Sequence, residues 1–184
     1  MAAEEKNYSL MELMATAYEY KGDPPNLTKS YRNYKKLYEE VGGTKYLLKM
    51  AQVGMLQGSF DAAKKKLEEV VASPDVAYIE SPKSDGSIQM INVKAGAYML
   101  LANYYFNEGN EKEGVKSLEQ ALKVEPDYEA ARLMVQRLQQ YQQQQASMGQ
   151  QQAYQQKLQA EQEKARKLAA YKRKEAEYMK NKKK

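Results

Sequence analysis

Apolar and small side chains recur at three- and four-residue steps in two stretches between residues 95 and 126. The first stretch carries Tyr98, Leu101, Ala102 and Tyr105, and the second carries Leu118, Ala121 and Leu122. Such spacing places the members of each set on one face of an α-helix. Gly109 lies between the two sets, where a helix can end and the chain can reverse. The pattern therefore predicts a helical hairpin.

Two small residues and a proline complete this hairpin. Ala102 and Gly114 let the helix backbones approach closely, and Pro126 ends the second helix. In order and spacing, Tyr98–Pro126 resembles one tetratricopeptide repeat, a unit of about 34 residues with the pattern W-x2-L-G-x2-Y, A-x3-F, P. The resemblance implies an all-α scaffold of stacked hairpins that binds other proteins and is not an enzyme.

Two further units are predicted upstream, because one hairpin cannot bury its apolar face alone. The middle unit keeps the same register, with Gly54 in place of a tyrosine and Asp75 in place of the closing proline. The first unit has a longer turn between two apolar stripes, which are Met11, Met14, Ala15 and Tyr18, and then Tyr31, Tyr34, Leu37 and Tyr38. The three predicted units span about residues 8–41, 44–75 and 95–126.

An insertion at residues 76–93 separates the second and third units. Two short runs rich in β-branched and aromatic residues flank Asp85-Gly86, a dipeptide typical of tight hairpin turns. We expect either a β-hairpin or an irregular loop. Because an isolated two-stranded ribbon is marginally stable in water, a hairpin here has to pack on the helices or on a partner.

A capping helix is predicted at residues 127–141, which closes a repeat domain at 1–141. Asp127 is the expected N-cap, since its carboxylate can accept from the first free backbone N–H groups. The expected buried stripe is Ala131, Met134, Leu138 and Tyr141. Terminal elements of repeat arrays are atypical because their outer face meets water.

Composition changes sharply in the extension at residues 142–184. Thirteen of the twenty-four residues from 139 to 162 are Gln. Residues 157–184 contain eleven basic and four acidic residues, a net charge of +7; since the whole chain carries +5, residues 1–156 carry −2. The extension is rich in strong helix formers but has only a thin apolar stripe. It is therefore either a solvated helix or a disordered tail.

The basic part of this extension has two possible roles. It can pack, as a helix of coiled-coil type, on a partner or on a second copy of the chain. Alternatively it can contact nucleic acid or an anionic membrane, for which Lys and Arg suffice. The candidate basic residues are Lys164, Arg166, Lys167, Lys172, Arg173 and Lys174.

The resemblance also implies a binding groove, because the first helix of each hairpin lines the concave face of such arrays. Residues between its core positions then point into the groove. The candidate contacts in the second and third units are Lys45, Leu48, Lys49, Gln52, Met55, Met99, Asn103 and Phe106. This mixture suits a peptide or helix with polar and apolar anchors.

The chaperone-binding clamp known in the family is not expected in this chain. Glu12 and Thr16 stand where the first unit of such members carries Lys and Asn. Gly96 and Leu100 stand where their third unit carries basic residues. Without these cations the groove cannot grip a terminal carboxylate, which argues against a co-chaperone role.

Residue types absent from the sequence argue against catalysis. There is no His and no Cys, so the commonest general base, the thiolate nucleophile and the commonest metal ligands are missing. We expect no catalytic site, no metal and no cofactor. Residues 1–6 are polar and acidic, without the apolar core of a signal peptide, which favours the cytoplasm; a chain whose signal peptide had been removed could instead be periplasmic or exported.

Overall fold

The computed structural model describes residues 7–181, with side chains from 7 to 175; residues 1–6 and 182–184, and the side chains beyond 175, lie outside this description. Within that range the elements in chain order are α1 (Tyr8–Lys21), α2 (Pro24–Val41), α3 (Thr44–Leu56), α4 (Phe60–Ala72), β1 (Tyr78–Pro82), β2 (Ile88–Asn92), α5 (Val93–Asn107), α6 (Glu111–Val124) and α7 (Glu129–Asn181). The chain divides into two compact units between Val135 and Gln136.

The described part of the first unit contains three helical hairpins, together with β1, β2 and the start of α7. Helix α1 packs on α2, α3 on α4 and α5 on α6, while α2–α3 and α4–α5 contacts join successive hairpins. The described residues therefore form the all-α repeat array that the spacing predicts. The three hairpins fall at residues 8–41, 44–72 and 93–124.

Local sequence signals set the bends between the helices. Gly22 ends α1 in the left-handed conformation at φ 72°, where a side chain would be strained. Asp23 then caps α2, accepting from the Asn26 backbone N–H at 3.1 Å, and Pro24 occupies the first helical position. Gly109 makes the corresponding turn before α6 at φ 72°.

Two apolar clusters hold the hairpins together. One lies between α1, α2 and α3, around Tyr34, Leu37 and Val53. The other joins α3, α4 and α5, around Leu67 and Leu101. Each cluster draws side chains from neighbouring hairpins, so no single hairpin has a complete core of its own.

The insertion forms an antiparallel hairpin rather than an irregular loop. Ile79 pairs with Ile91 in its register, and Gly86 lies in the turn at φ 83°. Ile91 is fully buried, and Ile79 is half-buried against the second apolar cluster. The ribbon thus gains from the helices the burial that it lacks by itself.

Three details of the expected core are wrong. Met14 is 42% exposed, although it belongs to the apolar stripe of α1. Asp127 does not cap α7, which begins at Glu129; its carboxylate instead accepts from the Arg132 guanidinium at 2.6 Å. Tyr141 is 56% exposed. Periodicity gives the face of a helix but not the point along it at which the neighbouring surface ends.

Candidate partner-binding surface

The β-hairpin forms one wall of a cavity beside α3 and α5. The cavity measures about 260 Å³ and lies between α3, α5 and β1. Its lining combines polar and apolar side chains, among them Lys49, Gln52, Ile79, Ser81, Met99 and Tyr128. A site of this kind offers a partner both hydrogen-bond groups and an apolar surface.

Glycine at position 96 allows the hairpin to approach the helices. A Cβ atom at Gly96 would lie 3.3 Å from both Ile79 Cδ1 and Leu48 Cδ2. Leu48 itself is 1% exposed and belongs to the core. Leu48 is therefore a core residue that also lines the cavity, with Ile79 of the hairpin beside it. Its role as a partner contact stays a prediction.

Two glutamates of α1 engage the predicted groove lysines of α3. Glu12 pairs with Lys45 and accepts from the Tyr46 hydroxyl at 3.0 Å. Glu19 lies 3.5 Å from Lys49 Nζ. Both lysines therefore have carboxylate partners inside the first unit, which reduces the positive charge that they offer to an acidic ligand.

Tyr34 links the second of these pairs to the core of the first hairpin. Its hydroxyl donates to Glu19 Oε2 at 2.9 Å and lies 3.1 Å from Thr16 Oγ1. Burial raises the pKa of Tyr34 far above its ordinary value, and nearby Glu19 adds to the shift. Burial and the bond to Glu12 likewise raise the pKa of Tyr46 to about 12. Both phenols therefore remain protonated donors at neutral pH.

The remaining predicted contacts lie in different surroundings. Gln52 and Met99 line the cavity, and Asn103 is half-buried on the same helix as Met99. Met55 packs against the second apolar cluster. Phe106 lies over Gly114 of α6, where an added Cβ would come within 2.5 Å of its ring. The structure thus assembles only part of the predicted set around one cavity.

The predicted groove residues include none from the hairpin or from the α6–α7 turn. Gln89 Nε2 donates to the Asp127 carbonyl at 2.8 Å, and Ser84 N donates to Glu129 Oε1 at 3.1 Å. Tyr128 is buried and bonded to Ser81, and burial raises the pKa of Tyr128. The available signal was the alternation in β1, where Ile79 and Ser81 share one face.

A second depression, of about 450 Å³, lies near the end of α2 and the start of α3. Its most distinctive polar group, the Asp75 carboxylate, accepts from Thr44 N at 3.0 Å and from Thr44 Oγ1 at 2.8 Å. These two bonds lower the pKa of Asp75. The carboxylate therefore serves as a cap for α3, so the cavity beside the hairpin is the better candidate site.

The second unit, unlike the cavity in the first, presents an exposed helix with basic side chains. Every side chain from 139 to 175 is exposed, including all six predicted basic residues from Lys164 to Lys174. Lys167 Nζ lies 2.7 Å from Glu163 Oε1 in a solvent-exposed helix-surface pair. The sequence therefore places its basic residues on a helix and in contact with solvent.

Among the side chains that the structure describes, from residue 7 to residue 175, no group of three or more acidic side chains is arranged to hold a metal ion. Over residues 7–181, no helix combines the length and the apolar character needed to cross a bilayer.

No protein-family model and no curated protein matches the sequence. Among solved structures, the chain is similar to the TPR2AB domain of yeast Sti1 in its complex with pHSP90, at 13% identity and a TM-score of 0.53, over 73% of this chain and 48% of that one. It is also similar to MamA, at 16% identity and a TM-score of 0.49, over 70% of this chain and 64% of that one. The chain thus matches less than two thirds of the length of either. The chain has a tetratricopeptide-like fold.

Proposed function

We propose that this protein is a non-catalytic scaffold that binds a segment of another protein on the inner surface of its repeats. The observation that carries the proposal is the cavity between α3, α5 and β1. Gln52 and Ser81 offer polar groups there, while Met99 and Ile79 offer apolar surface. The lack of His and Cys in the sequence supports a binding role over a catalytic one.

The charges of the site restrict the partner class. Lys45 and Lys49 already pair with Glu12 and Glu19, so a terminal carboxylate finds no free pair of cations on α3. A partner that relies on apolar anchors and backbone hydrogen bonds fits the site better than an acidic peptide does.

Site-specific photocrosslinking tests this proposal. A benzophenone amino acid at position 99 or 103, introduced into the full chain in its native host, should yield a discrete adduct with one partner. Glu119 is the control position, because it is exposed on α6 away from the cavity. An adduct pattern that is the same from positions 99, 103 and 119 would contradict binding in the cavity.

Binding of the basic helix to an anionic surface is the second candidate function. Its support is the exposure of six Lys and Arg side chains within eleven residues of α7. Such contacts release counterions, so affinity should fall steeply with salt.

Charge reversal separates this candidate from the first. Replacing Lys172, Arg173 and Lys174 by Glu should abolish salt-sensitive retention on duplex DNA or phosphatidylglycerol vesicles. The matched control reverses three exposed lysines of the repeats, Lys36, Lys65 and Lys112. Equal losses in both variants would show a general charge effect and no specific role for α7.

A further inference from the structure

Helix α1 is apolar on two opposite sides. One side contributes Ala15 to the core, with Met11 packed beside it. The other side exposes large apolar residues to solvent, namely Leu10 at 52%, Leu13 at 66%, Met14 at 42% and Tyr20 at 94%. A surface helix ordinarily carries polar residues on the side opposite its core contacts. Helix α1 carries large apolar residues there.

The exposed residues form a regular stripe. Leu10, Leu13, Ala17 and Tyr20 follow the alternating three- and four-residue steps of a helix-pairing seam, and Met14 flanks them. At 100° per residue these five positions share one side of α1, opposite Ala15. The stripe is therefore continuous over about three turns of the helix.

Charged groups are nearly absent from this side of α1. The charged residues of the helix are Glu12, Glu19 and Lys21. The two glutamates pair with lysines of α3, and Lys21 lies at the C-terminal end of the stripe. The rest of the stripe is uncharged. An identical stripe in antiparallel orientation keeps the two Lys21 side chains at opposite ends, so a two-fold symmetric contact forms without like-charge repulsion.

We propose that the outer face of α1, formed by Leu10, Leu13, Met14, Ala17 and Tyr20, is a self-association surface that pairs with the same face of a second copy. The exposed residues correspond to roughly 400–500 Å² of apolar surface per copy, so a pair buries about 800–1,000 Å² in total, the size of a weak, transient interface. The dimer is therefore weak and depends on concentration.

Sedimentation velocity of the full chain over a hundredfold range of concentration tests the proposal. The wild-type chain should shift from monomer to dimer as its concentration rises. Leu13→Glu should weaken this association by about tenfold or more, because pairing would bury an unpartnered carboxylate. A wild-type chain that stays monomeric throughout, or a Leu13→Glu chain that dimerises like the wild type, would overturn the proposal.

Two matched variants locate the contact. Ile88→Glu changes an apolar residue of similar exposure on the hairpin, 63% against 66% for Leu13. Leu158→Glu changes an exposed residue of α7. Both should dimerise like the wild type. Loss of dimer in the Leu158→Glu chain with retention in Leu13→Glu would assign self-association to α7 and reject the α1 surface.

A cysteine variant keeps the proposal testable if Leu13→Glu alters the fold. Because the sequence has no Cys, Leu13→Cys introduces a single thiol. Mild oxidation should give a disulfide-linked dimer from Leu13→Cys and at least about fivefold less from Ile88→Cys, since pairing raises the effective concentration of the thiols. Equal yields would contradict pairing through α1.

Discussion

Helix α6 and the part of α7 beyond residue 138 are both built from strong helix formers, yet they differ in burial. Helix α6 buries Gly114, Ser117, Leu118 and Ala121 against its neighbours. From 139 to 175, every side chain of α7 is exposed. One helix is therefore held by packing, and the other rests on backbone hydrogen bonds and helix propensity.

This difference shows why helix content alone is a poor guide to stability. Intrinsic propensity differs by less than about 1 kcal/mol per residue among ordinary helix formers, whereas burial of one large apolar side chain is worth about 1.5–3 kcal/mol. The repeat unit should therefore unfold cooperatively, and the exposed helix should lose structure gradually on heating.

Deletion of a leucine side chain should show the largest contrast. Leu118 is 1% exposed in α6, so Leu118→Ala removes packed atoms and should destabilise the repeat unit by about 2–5 kcal/mol. Leu158 is 40% exposed in α7, and Leu158→Ala should change stability by less than about 0.5 kcal/mol. Urea unfolding of both variants, followed by circular dichroism, measures the two effects. Equal shifts would remove the distinction between the two helices.

Replacing a glycine by alanine should lower stability in α6 and raise helix stability in α7. A Cβ at Gly114 would lie 2.5 Å from the Phe106 ring, so Gly114→Ala should destabilise the unit by about 1 kcal/mol or more. Gly149 has no atom within 4 Å of the same position, so Gly149→Ala should favour the helix by up to about 1 kcal/mol.

Thermal unfolding measures the effect of Gly114→Ala, and helix content at moderate temperature measures the effect of Gly149→Ala. Phe106→Ala combined with Gly114→Ala is the control, because it removes the ring that the new methyl meets. If Gly114→Ala raised the melting temperature, the contact with Phe106 would be too loose to restrict α6.

Asp75 should make a smaller contribution to stability, and that contribution should depend on pH. Its bonds to Thr44 lower its pKa. A carboxylate with a lowered folded pKa stabilises the fold above its unfolded value of about 4, and the contribution is lost as pH falls through the folded pKa. Asp75→Asn should therefore reduce the difference in melting temperature between pH 7 and pH 3.

Glu163 is the comparison residue for this measurement, since its pair with Lys167 is exposed and local. Glu163→Gln should leave that pH difference almost unchanged, because exposed ion pairs contribute little. An Asp75→Asn chain with the wild-type acid response would mean that the Thr44 cap does not stabilise the repeat unit.

The arrangement of helices could be predicted because it depends on local periodicity and turn chemistry. The stripe with Tyr98, Leu101 and Tyr105, together with Gly109, was sufficient to predict the third hairpin. The candidate site was less accessible to such reasoning. Whether Leu48 faces a partner or lies under Ile79 depends on where an inserted ribbon folds back, and no local spacing encodes that position.

Because local spacing does not encode tertiary contacts, the sequence also failed to predict that Tyr141 is exposed and that α1 carries an exposed apolar face. Helical spacing assigns a side chain to a face, but burial also requires an opposing element. Met14 and Tyr141 both continue an apolar stripe and are nevertheless exposed. Such residues are where a sequence-based core prediction fails and where an additional contact surface can be sought.

The sequence by itself determined the all-α class, the three hairpins, the turn at Asp85-Gly86 and the basic character of the extension, because each follows from short-range spacing, backbone preference or charge. Only the tertiary structure decided that Ile79 of the hairpin packs against the cluster that contains Leu48, that Glu12 and Glu19 engage the groove lysines, and that α1 exposes a second apolar face. Those outcomes depend on contacts between residues distant in the chain, which are fixed only when the helices pack.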